Sequence, residues 1–125
     1  MRFPMPHYPC EFEIPDDWLR EAGVIGFVPM TTSYHSTAGT MLIPLTEIEP
    51  VPRLVKKDFR GFDRDRLIRL LRGFVSSSKI EPVPLFELPL LEFPDTPYRF
   101  RVRDGFHRLY GSIAVGYECL PATIW

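Results

Sequence analysis

The residues best suited to chemistry lie near the C-terminus, in the run Arg103-Asp104-Gly105-Phe106-His107-Arg108. A strand-like segment precedes it and a helical pattern follows, so Gly105 marks a tight turn into a helix that opens with His107 and Arg108. The first turn of a helix has backbone N–H groups without intrahelical partners and carries partial positive charge. A glycine there allows close approach, and basic side chains add charge, so this turn is a seat for phosphate or another anion. The expected ligand set is Gly105, Phe106, His107 and Arg108. A reactive version of the site uses Asp104 and His107 as acid and base. Asp104 also reads as a helix N-cap. The plain alternative is a strand-to-helix turn with a solvated His and Arg.

Other residues offer weaker chemistry. Arg99, Arg101 and Arg103 alternate with Tyr98, Phe100 and Val102, which puts three guanidinium groups on one strand face. That stripe could contact a phosphate backbone, or be partnered by Glu and Asp of neighbouring strands. Arg64, Arg66, Arg69 and Arg72 share the outer face of a helix, where solvation alone explains them. The polar loop Tyr34-His35-Ser36-Thr37 reads as a lid or substrate loop, or as plain surface. Three scattered histidines without a ligand partner at helical spacing make no metal site. No phosphate-binding G-x-x-x-x-G-K-[ST] loop and no G-x-S-x-G nucleophile motif is present.

The elements that must hold these groups can be read from periodicity and punctuation. A helix is expected over 14–23, with Pro15 in its first turn and Gly23 at its end. Residues 24–30 read as a short buried extended piece, 31–39 as a loop and 40–45 as a strand. Asp63 caps the next helix, whose buried stripe is Leu67, Leu70, Leu71 and Phe74. Strands follow at 83–88 and 98–103, separated by a turn at 90–97. The helix 106–115 buries Phe106, Leu109, Tyr110 and Ile113 and stops at Gly116. A last short strand runs over 119–124. The proline-rich start reads as an extended arm that buries Phe3, Tyr8 and Phe12. Trp18 and Trp125 read as core anchors.

Whole-chain properties bound the function. At 125 residues, 45% hydrophobic and 25% charged, the chain is one globular domain. No apolar run approaches the roughly 20 residues of a membrane span, and no leader precedes the fold. Cys10 and Cys119 have no ligand spacing, so two free thiols in a reducing cytoplasm are expected. The net charge of −1 is unevenly spread. Residues 1–50 carry two Arg against seven acids, whereas 51–125 carry thirteen Lys and Arg against nine acids. A weakly acidic whole opposes strong nucleic-acid binding, so any such contact is weak and salt-labile.

The segment around the turn resembles the ParB/sulfiredoxin-like family. The match to its D-G-H-H-R signature falls on Asp104, Gly105, His107, Arg108, Leu109, Gly116 and Pro121. Upstream, residues 41–53 are similar to the family's opening strand and its Pro-Arg end, and 62–88 to its helix and following strand. The resemblance implies a small single-domain α/β fold of mixed α+β type, with a mixed sheet and few helices, over 40–125. Residues 1–39 are then an extension packed on that domain. It also implies a nucleotide or other phosphate-bearing small molecule at the turn, with or without Mg²⁺, and a contact from Arg53. Members include chromosome-partitioning CTP switches, sulfiredoxins, a free-serine kinase and nucleases. Where those members carry a catalytic Cys, Glu or His, this chain has Phe106, which neither binds a metal nor moves a proton. The expectation is an accessory or regulatory binding protein. The alternatives are a phosphoryl-transfer or phosphodiesterase enzyme and a DNA-associated protein working with a protein partner.

Overall fold

A computed structural model describes residues 1–6, 11–49, 61–89 and 98–124. The proline-rich arm forms β1 (Arg2–Pro4), paired antiparallel with β2 (Glu11–Glu13) so that Phe3 stacks on Phe12. Helix α1 (Asp16–Ala22) starts after Pro15 and ends at Gly23, whose φ of 77° suits a residue without a Cβ. Then come β3 (Met41–Pro44), a 3-10 turn (Leu45–Glu47), α2 (Arg64–Val75), β4 (Val83–Glu87), β5 (Phe100–Val102), α3 (Phe106–Val115) and β6 (Cys119–Ile124). Arg53, Cys10, His7, Tyr8, Trp125 and the 90–97 turn lie outside the described residues.

The four-stranded sheet has the order β3-β6-β4-β5. β6 runs antiparallel to β3 and parallel to β4, and β4 runs antiparallel to β5. The protein is therefore a small mixed α+β single domain. The last strand is central rather than terminal in space, although its proline argues for an edge position. Leu120, Pro121 and Ala122 are buried there between both neighbours. α1 packs on α2, α2 on α3, and α3 on β6. The first 39 residues contribute Ile14, Trp18, Leu19, Ala22 and Tyr34 to the same core as Leu67, Leu85, Leu109 and Leu120.

Several expectations need correction. Residues 24–30 are not a buried extended piece: Ile25, Val28 and Met30 are 53%, 72% and 94% exposed. Their backbone turns at Gly26 and finds no strand to pair with, so the apolar run cannot join the sheet. Tyr34, placed in a surface loop, is buried and stacks on Phe74 at 5.2 Å. The buried stripe of α2 is Leu67, Ile68, Leu71 and Phe74, with Leu70 only half-buried. On α3, His107, Gly111 and Ser112 join Leu109 and Tyr110 inside, while Phe106 and Ile113 are half-buried. Gly111 lets Phe74 of α2 approach α3 closely; a Cβ on Gly111 would stand 3.3 Å from that ring. Among the described residues no helix is long and apolar enough to cross a membrane.

Candidate functional site

The turn before α3 opens a cleft of about 370 Å³. Its lining includes Asp104, Gly105, Phe106, His107 and Arg108 of the expected site, together with Arg66 and Leu70 of α2 and Glu81. The structure thus brings the whole Asp104–Arg108 run to one place and adds Arg66, whose relation to the turn sequence alone does not show.

Gly105 is the N-cap, at φ 136°. A Cβ there would meet Val83 Cγ1 at 2.8 Å, so glycine is required both by backbone conformation and by space. No side chain caps α3, and its first turn contains no acid. Asp104 is therefore not the N-cap. It is exposed, and its carbonyl accepts from Arg108 Nη2 at 3.2 Å.

Arg108 is built into the fold. Its Nη1 donates to the carbonyls of Glu81 at 3.1 Å and Pro82 at 2.9 Å. With Asp104, three carbonyls hold the guanidinium, and they tie the strap before β4 to the start of α3. Tyr34 Oη donates to the same Glu81 carbonyl at 2.7 Å. Burial pushes the Tyr34 hydroxyl well above its ordinary pKa, and the Arg108 charge opposes that shift.

His107 is 6% exposed. Its Nε2 accepts from the Asp63 backbone N–H at 2.9 Å, and its ring meets Phe62 edge-on. That nitrogen is committed to holding the start of α2 and is not open to a substrate proton. The reading of His107 as a solvated side chain is corrected accordingly: a backbone donor 44 residues away buries it. Phe106 joins an aromatic cluster, 4.6 Å from Tyr110 and 5.2 Å from Phe62. Arg66 differs from Arg108. It is exposed, and its guanidinium has no hydrogen bond or ion pair among the described residues.

Arg99, Arg101 and Arg103 are exposed along β5. Arg101 Nε lies 2.6 Å from Glu49 Oε2, which raises the guanidinium pKa further through that hydrogen bond and charge. The outer edge of β5 is covered by a bridge from Ile48 to Phe100 and by Arg99 N–H donating to Glu47. Arg64 and Arg72 both pair with Glu21 of α1. These contacts tie Arg64, Arg72 and Arg101 of the basic faces to the protein's own carboxylates. No group of three His, Cys, Asp or Glu side chains is placed to hold a metal among the described residues.

No family model matches this chain, and no curated protein or solved structure matches it either.

Proposed function

We propose that this protein is a ParB/sulfiredoxin-like binding module that takes a phosphate-bearing small molecule, a nucleotide foremost, in the cleft at the start of α3. Its role is accessory or regulatory, and its place is the cytoplasm. The observation that carries the reading is the junction of three features in one cleft. These are a helix start without a capping side chain, a glycine that permits close approach, and an Arg66 guanidinium with no partner among the described residues. Binding is favoured over phosphoryl transfer because Phe106 carries no titratable group and Nε2 of His107 already accepts a hydrogen bond. Contact with nucleic acid, if made through the strand face of Arg99, Arg101 and Arg103, is weak and salt-labile.

Calorimetry over nucleotides and inorganic phosphate, with and without Mg²⁺, tests the reading. Arg66→Ala should weaken binding roughly tenfold, equivalent to about 1.5 kcal/mol for a hydrogen bond to a charged group, with an unchanged unfolding midpoint. Arg108→Ala should instead lower stability, because the carbonyls of Pro82 and Asp104 lose this donor and that of Glu81 keeps only Tyr34 Oη. Equal affinity of wild type and Arg66→Ala, or a nucleotide bound away from residues 104–108, would sink the reading.

A further inference from the structure

A second cavity, of about 490 Å³, lies under the 31–36 loop. It falls in the range of roughly 300–1,000 Å³ typical of small-molecule sites. Among the described residues, no Asp, Glu, Lys or Arg lines it. Its polar side chains are the hydroxyls of the loop, Thr40, Ser77 and Tyr117 and the exposed imidazole of His35, and its apolar surface comes from Leu42, Phe74, the Tyr117 ring and Pro121.

The state of those hydroxyls selects the ligand. A hydroxyl has one hydrogen and two acceptor lone pairs. Thr31 Oγ1 donates to the Ser33 carbonyl at 2.8 Å and Ser33 Oγ to that of Tyr34 at 3.2 Å. Ser36 Oγ donates to Ile80 at 2.6 Å and Thr40 Oγ1 to Thr37 at 3.2 Å. Each has spent its hydrogen on the backbone and has only lone pairs left to offer. Thr32, Ser77 and Tyr117 have hydroxyls with no hydrogen bond among the described residues, so they can donate as well.

We propose that this cavity is a second binding site, for a neutral polyhydroxylated ligand of mono- or disaccharide size. Four lining hydroxyls can only accept and three can also donate, and sugar hydroxyls, which do both, answer them at once. A phosphate would meet no Lys or Arg here, only His35 and a few hydroxyl donors among lone pairs. A polyamine would lose hydration with no carboxylate to replace it. Half-exposed Leu42 gives the C–H face of a pyranose ring something to cover. The site shares no lining residue with the α3 cleft, which carries Arg66 and Arg108.

The test is an NMR titration of the whole chain with glucose, galactose, maltose and cellobiose, alongside inorganic phosphate and spermidine. At least one sugar should give saturable shifts at Thr32, Ser33, Ser36 and Ser77. Thr32→Trp and Leu42→Trp, which place a large side chain at exposed lining positions, should each weaken that sugar tenfold or more while retaining the wild-type fold. No saturable shift from any of the four sugars at about 50 mM would overturn the proposal. So would shifts confined to residues outside the loop, or tighter binding of phosphate or spermidine at these same residues.

Discussion

α2 and α3 begin in opposite ways. α2 is closed by its own chain: the Asp63 carboxylate accepts from the Arg66 N–H at 3.1 Å, and Asp65 adds negative charge to the first turn. α3 starts at a glycine with no capping side chain and no acid in its first turn. α1 stands between the two: it also lacks a cap, but Asp16 and Asp17 occupy its first turn and the chain's own ammonium group pairs with Asp16. The difference teaches that, among the described residues, α-helix starts are completed locally except at α3, and that start opens into a cleft. The two extremes are also joined, because the Asp63 N–H that precedes α2 is held by His107 of α3.

The largest effect is expected where α3 has no tolerance. Gly105→Ala forces an L-residue to φ 136° and drives a Cβ into Val83. Backbone strain and overpacking together should cost about 3 kcal/mol, read as a lower denaturant midpoint with an unchanged slope. A neutral outcome would mean that the turn relaxes freely and that the contrast between the two helix starts is not enforced.

His107→Ala should come next, at about 2 kcal/mol, because it leaves the Asp63 N–H without its acceptor. Hydrogen exchange should quicken at Asp63 and in the first turn of α2 before it quickens in β6. Uniform acceleration across the chain would contradict the link between the helix starts.

Asp63→Ala removes the cap of α2 and should cost about 1 kcal/mol, while Asp63→Asn should cost much less. Neither should alter anion affinity in the α3 cleft if the two starts serve separate purposes. Parallel loss of stability and affinity would merge them.

Asp16→Asn should have the smallest effect. The Met1 ammonium, by hydrogen bond and charge, holds the Asp16 carboxyl below its ordinary value of 3.8. A depressed carboxyl stabilises the fold above that ordinary value, and the contribution fades as pH falls through the lowered one. Both groups are exposed, so the wild type should melt only slightly above the variant near neutrality. They should stay close down to about pH 4 and converge fully in stronger acid. A gap that widened on acidification would place the stabilising charge elsewhere.

What was legible in the sequence was local. Gly105 and Gly116 bracket α3, and Asp63 with its apolar spacing marks α2, because caps and periodicity act over a few residues. What stayed hidden depends on distant partners. The central position of β6 follows from pairing with β3 and β4, and nothing in residues 119–124 announces it. His107 and Arg108 look like solvent-facing ligands in the run of residues. Their acceptors and donors come from Asp63, Glu81 and Pro82, which no local pattern brings near. Arg66 became a site residue by the converse route, since only the contact of α2 with α3 puts it in the cleft. The 24–30 run misled because hydrophobicity without a strand to pair with gives no burial.

The carbonyl oxygen of Glu81 receives both Tyr34 Oη and Arg108 Nη1, so its two lone pairs serve two different parts of the molecule. Glu81 lines the arginine-bearing cleft, while Tyr34 belongs to the loop over the hydroxyl-lined cavity. Next to it, Ile80 receives Ser36 through its carbonyl and donates its N–H to His35. The strap between α2 and β4 therefore works as a party wall. Its position is fixed by side chains from both neighbours rather than by sheet pairing, and neither chamber can be reshaped at that wall without loading the bonds that define the other.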